Sequence, residues 1–116
     1  MVILEKPITK EELTNLSQNY FVDMIKAVVD VDRELIALDA ELHSDLEAFL
    51  IENGSSQESL WGFNLYPEAD NSDVENFVEF DSLINIRPRQ GNKSRYVEDS
   101  VTRERIISIV NKFITK

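Results

Sequence analysis

The sequence predicts an α+β domain: a mainly antiparallel sheet of four to five strands with three helices, packed as a two-layer sandwich. Three observations predict it. Apolar residues alternate in two consecutive runs between positions 24 and 43, as in a hairpin, and alternate again at 60–66 and 77–86. Two S/T-x-x-E capping boxes mark helix starts, and a 3.6-period apolar stripe occupies the last fifteen or so residues. With 116 residues, 42% of them hydrophobic, the chain buries roughly two thirds of its unfolded surface, so one domain over 1–116 is expected. Three Gly and three Pro argue against disorder.

The elements follow in order. Val2 to Leu4, stopped by Pro7, reads as an edge strand or an N-terminal arm. Thr9 and Glu12 open a helix carrying Leu13, Leu16 and Tyr20 and ending near Asn19. In the hairpin, a tight turn at Asp32-Arg33 sets Val29 opposite Ile36, Ala27 opposite Leu38 and Ile25 opposite Ala40, with Lys26 opposite Asp39 on the other face. A slip by one residue would spoil every pair. Ser44 and Glu47 open a second helix, whose Leu46, Phe49 and Leu50 form the buried stripe and which stops before Gly54. The strand 60–66 places Trp61, Phe63 and Leu65 on one face and ends at Pro67; an acidic loop, 67–76, follows. The strand 77–86 puts Val78, Phe80, Ile84 and Ile86 on one face and Glu79, Asp81 and Asn85 on the other. Asp99 or Ser100 caps the last helix, lined by Ile106, Ile109, Val110 and Phe113. The order is β-α-β-β-α-β-β-α, with the helices on one face of the sheet.

Composition excludes several functions. A net charge of −10 opposes a nucleic-acid or anionic-membrane surface, because phosphate binding needs a basic face. Zero cysteines exclude disulfides, thiol chemistry and thiolate metal sites, and suit a reducing cytoplasm. The first residues lack the pattern of a signal peptide, and no stretch approaches the ~20 apolar residues that span a bilayer. A cytoplasmic protein with no cofactor is expected.

One segment runs against the acidic trend. Residues 87–95, Arg-Pro-Arg-Gln-Gly-Asn-Lys-Ser-Arg, hold four of the twelve Lys and Arg and no acid, so the loop carries +4 and the other 107 residues sum to −14. Arg87, Arg89, Lys93 and Arg95 can grip a carboxylate or phosphate, and Gln90, Ser94 and Asn92 add hydrogen bonds. Gly91 and Asn92 tolerate the positive φ that turns backbone N–H groups inward as an anion nest. The spacing is not that of a P-loop. The competing reading is a solvated loop whose arginines pair with the protein's own carboxylates.

A second constellation surrounds the lone histidine. On a strand, Asp39, Glu41 and His43 share a face, and the helix start brings Asp45 close, a set of ligands suited to Mn, Fe or Zn or to acid/base chemistry. No second histidine exists, and His43 is more readily explained as a structural partner of a carboxylate or a helix cap. If the second helix recrosses the sheet, strand 60–66 runs parallel to the strand that ends at His43. The basic loop then shares an end of the sheet with the turn at 30–33, and His43 lies at the other end.

The segments Glu41-Leu42-His43-x-Asp45, Leu60-Trp61-Gly62-x-Asn64-Leu65-Tyr66-Pro67 and Ile84-Asn85-Ile86-Arg87-Pro88-x-Gln90-Gly91-Asn92-x-Ser94-Arg95 resemble a small bacterial family classed as a domain of unknown function. The resemblance covers nearly the whole chain. It implies a stand-alone small protein and supplies no catalytic residues. The expectation is therefore a non-catalytic module that binds a small anionic ligand or an acidic partner through 87–95. The alternative is a metal-assisted hydrolase centred on His43 with Asp39, Glu41 and Asp45. A third reading is a homodimeric scaffold formed through a sheet edge or the exposed face of the hairpin. No motif fixes whether the chain is an enzyme.

Overall fold

The apolar alternation at 25–38 folds as the expected hairpin, with Val29 opposite Ile36 and Ala27 opposite Leu38. The computed structural model describes residues 1–115. Its elements are β1 (Val2–Ile3), β2 (Ile8–Thr9), α1 (Lys10–Ser17), β3 (Ile25–Asp30), β4 (Leu35–Leu38), α2 (His43–Glu52), β5 (Leu60–Leu65), α3 (Val74–Phe77), β6 (Val78–Glu79), α4 (Ser100–Phe113) and β7 (Ile114–Thr115). The main sheet has five strands in the order β1-β4-β3-β5-β6, every neighbouring pair antiparallel, and β2 pairs with β7 in parallel as a separate ribbon. The class is α+β, as the sequence predicts.

The hairpin turn is longer than the two residues expected, because Asp30 pairs with Leu35 and residues 31–34 form the connection. Asp30 is buried, and its carboxylate accepts hydrogen bonds from the backbone N–H groups of Asp32 and Arg33 and from Ser55 Oγ. A buried carboxylate with three donors is satisfied, and it fixes the turn. At the other end β4 stops at Leu38, where Asp39 adopts φ 74 and turns the chain out of the sheet. The pairings of Ile25 with Ala40 and of Lys26 with Asp39 therefore do not form; Lys26 faces Asn64 of β5 instead.

Both faces of the sheet are covered. Ala27, Val29, Ile36, Leu38 and Phe63 pack with Leu13 of α1 and with Ile106, Ile109, Val110 and Phe113 of α4. Val28, Ala37 and Leu60 point the other way and pack with Leu46 and Leu50 of α2. The sequence reading put all helices on one face. The second layer of helix arises because Ala27-Val28-Val29 and Ile36-Ala37-Leu38 are continuous apolar runs, the signature of strands buried on both sides.

The caps follow local chemistry with one exception. Thr9 and Glu12 form the capping box of α1, and Asp99 caps α4 by accepting from Thr102 N–H at 3.1 Å. The Ser44–Glu47 box does not form: α2 begins at His43, two residues early, with Leu42 at the cap and no side-chain cap bond. His43 is buried at the first helical position and its ring is bonded to the Phe63 carbonyl of β5, which anchors the start of the helix. The expected strand 77–86 shrinks to β6, since only Glu79 and Val78 pair with β5 before residues 83–85 form a 3-10 turn.

Candidate functional site

Loop 87–95 is built as a closed turn. Pro88-Arg89-Gln90 form a 3-10 turn, Gly91 takes φ 79, and Arg87 and Asn92 bridge across the base through two backbone hydrogen bonds of 2.8 and 3.2 Å. Gly91 thus uses the left-handed freedom anticipated for it, whereas Asn92 does not. Asn92 is buried; its Nδ2 donates to the carbonyls of Asn85 and Tyr96 at 2.8 and 2.7 Å, and its Oδ1 accepts from the Glu98 N–H at 2.9 Å. Those bonds make it a scaffold of the loop.

Two of the four cations are committed to the fold. Arg87 donates to the carbonyls of Gln57 and Leu60 and lies 4.2 Å from the centre of the Trp61 ring, a stacked geometry that desolvates it. Burial lowers its pKa, opposed by Glu47 and Glu58. Gln90 donates to the Glu58 carbonyl at 3.0 Å. Arg95 Nε pairs with Asp81 at 2.5 Å with both side chains largely solvated. Arg89 and Lys93 are exposed, and among the described residues Arg89 makes no hydrogen bond or ion pair.

The N–H groups that converge in this loop are those of Lys93 and Ser94, not of Gly91 and Asn92, and they meet the protein's own carboxylate, Glu98. Glu98 Oε2 accepts from Lys93 N–H at 2.7 Å, Ser94 N–H at 3.0 Å and Ser94 Oγ at 3.0 Å. Successive N–H groups converging on one carboxylate oxygen are the geometry of an anion site. The Lys93 N–H, with the Ser94 hydroxyl and N–H behind it, holds the exposed Glu98 carboxyl below the usual carboxylate range. Glu98 lies three residues beyond the loop as the sequence delimits it.

The histidine constellation is dispersed. Asp39 accepts from Asn19 Nδ2 at 2.8 Å and lies 3.9 Å from the N-terminal amine. Glu41 and Asp45 are exposed. His43 is 8% exposed, and its Nε2 lies 2.8 Å from the Phe63 carbonyl. A carbonyl only accepts, so Nε2 carries the proton; burial keeps the ring's pKa below its ordinary value, so the imidazole is neutral, with Asn64 as its side-chain hydrogen-bonding neighbour. Among the described residues no group of three or more His, Asp or Glu is placed to hold a metal ion. The positive φ at Asp39 breaks the alternation that would have aligned Asp39, Glu41 and His43.

Loop 87–95 also spans more of the sheet than expected. Its first half adjoins the turn at 31–34 across a cleft of about 430 Å³, as anticipated, while Arg95 reaches a second cleft of about 380 Å³ that His43 also lines. That second cleft gathers Lys26, Asn64, Tyr66 and Glu79, residues that the sequence pattern gives no reason to group. Asn64 Nδ2 and Tyr66 Oη both donate to Glu79 Oε1, at 2.9 and 2.8 Å. Burial, followed by the Glu79 bond, pushes the Tyr66 hydroxyl up to about 12. The available signal was Asn64 itself, an amide inside a strand whose other side chains are apolar or aromatic apart from Gly62.

A family model described as a protein of unknown function, DUF5674, matches residues 2–113. The chain belongs to this family. No curated protein and no solved structure matches it. The DUF5674 assignment meets the expectation of a family of unknown function that covers nearly the whole chain. Within this DUF5674 chain, no helix among the described residues is long and apolar enough to cross a membrane.

Proposed function

We propose that this DUF5674 protein is a non-catalytic binding module that takes an anionic group, a carboxylate or a phosphate, at loop 87–95. The observation that carries the reading is Glu98, whose carboxylate already sits on Lys93 N–H, Ser94 N–H and Ser94 Oγ. A fully exposed side chain holds such a seat loosely, so Glu98 serves as an intramolecular occupant that a multivalent anion displaces. Lys93 and Arg89 are the uncommitted cations of the loop and supply the attraction, while Arg87, Asn92 and Gln90 hold its shape. The other 107 residues sum to −14, which favours this loop as the seat of a ligand with net negative charge. The lack of cysteine supports the cytosol as its compartment.

The test is calorimetric titration with inorganic phosphate and with an oligo-glutamate peptide, the two arms separating a small ligand from an acidic protein segment. Glu98→Ala is expected to bind several-fold more tightly than the unaltered protein. Arg89→Ala and Lys93→Ala are expected to bind more weakly, with affinity falling as salt rises. Equal affinity for all four proteins would overturn the reading.

A further inference from the structure

We infer that the cleft lined by Lys26, His43, Asn64, Glu79 and Arg95 is a separate binding site, for a small zwitterion with an apolar side chain, the class of the aliphatic α-amino acids. At about 380 Å³ it falls within the roughly 300–1,000 Å³ of small-molecule sites.

One side of the cleft is short of donors. His43, its proton on Nε2 and bonded to Phe63, has no proton on Nδ1 to give, and Asn64 is its side-chain hydrogen-bonding neighbour. Asn64 is 7% exposed, and because its Nδ2 is committed to Glu79, its Oδ1 is left buried with no partner. A buried acceptor without a donor is costly and uncommon, and here the neutral His43 ring and the Glu79 carboxylate line the same cleft. An ammonium group supplies a donor for Asn64 Oδ1 and a charge opposite to that of Glu79.

The opposite requirement is met at the start of α2 and beside it. The helix of ten residues begins with no side-chain cap, so its first N–H groups lack a side-chain acceptor, and Leu42, His43 and Ser44 all line the cleft. Among the described residues Lys26 makes no ion pair, its Nζ lying 5.5 Å from the centre of the Phe21 ring, and Arg95 pairs with half-buried Asp81. A carboxylate fits these groups. The charges of Lys26 and Arg95 cancel those of Glu79 and Asp81, which favours a ligand with no net charge. Met24, Leu42, Leu83 and Ile84 complete the walls, and Leu42 and Leu83 are 50% and 67% exposed, giving an aliphatic side chain apolar surface to cover.

The experiment is a titration of the full chain followed by amide resonances, with three probes: L-leucine, leucinamide, which lacks the carboxylate, and 4-methylpentanoate, which lacks the ammonium. L-leucine is expected to give saturable shifts at Lys26, His43 and Asn64, with both analogues bound about tenfold or more weakly, the loss of one charge-assisted set of bonds. Glu79→Gln and Lys26→Met are each expected to weaken L-leucine by about tenfold while their thermal unfolding matches that of the unaltered protein. Absence of saturable shifts with L-leucine, or equal affinity for the three probes, overturns the inference.

Discussion

Asn85 and Gly62 pair as two strand residues would: the Gly62 N–H donates to Asn85 Oδ1 at 2.8 Å, and Asn85 Nδ2 donates to the Gly62 carbonyl at 2.9 Å. A side-chain amide thereby completes the edge of β5 where β6 has already ended, and with Arg87 on the Leu60 carbonyl it closes that edge to pairing with another chain. The same Nδ2 donates to the Arg95 carbonyl at 2.9 Å, while Asn92 holds the Asn85 carbonyl. Two buried asparagines therefore tie loop 87–95 to the sheet and fix where its cations emerge.

Replacing Asn85 by Asp keeps the acceptor for Gly62 N–H but turns a carboxylate toward the Gly62 and Arg95 carbonyls. Leaving those carbonyls unsatisfied is expected to cost about 3 kcal/mol at neutral pH. The loss should shrink in acid, where the carboxyl regains a donor. Urea unfolding at both pH values measures it, and a loss that is small and independent of pH would contradict the pairing.

Gly62 is required by close approach. A Cβ there would stand 2.6 Å from Ser82 Oγ and 2.7 Å from Ser82 Cβ, and Ser82 is buried and has no room to withdraw. Gly62→Ala is expected to destabilise the fold by about 1–3 kcal/mol. In a double-mutant cycle, Ser82→Gly should recover a large part of that cost. Simple additivity of the two changes would argue against the contact.

His43 makes stability depend on pH in a defined direction. Its folded pKa lies below the ordinary 6.5, so as pH falls below that value the unfolded chain takes up a proton before the folded one does. Stability from this group is therefore full above 6.5 and is lost as pH falls toward the folded value. Unfolding free energy should decline over that interval, and His43→Gln should flatten the decline. An identical slope in the variant would mean that the ring is not held neutral by burial.

Much of this architecture was legible. The register Val29–Ile36 follows from period-two alternation in a segment with one apolar face to hide, and the stripe of α4 follows from its 3.6 period. What escaped depends on partners distant in sequence. Val28 and Ala37 read as outward positions until α2 is seen to cover them. The Ser44–Glu47 spacing is a capping signal, but His43 is claimed by Phe63 twenty residues on, and the helix starts accordingly. In the loop, the charge excess was visible, yet the commitments of Arg87 to Gln57 and of Arg95 to Asp81 span 30 and 14 positions and leave no local pattern. Glu98 was close enough to find, and was missed because the loop was bounded at its last arginine.

Inorganic phosphate titrated into Glu98→Ala protein, with the Lys93 and Ser94 amide resonances followed, tests most directly whether loop 87–95 is an anion seat. In the unaltered protein these two amides should titrate with Glu98 below its ordinary 4.5, since its seat favours the charged form, and should respond little to phosphate at neutral pH. In the variant they should respond to phosphate saturably at neutral pH. Amides of Lys93 and Ser94 that stay silent in the variant, or that respond equally with Glu98 in place, would contradict it.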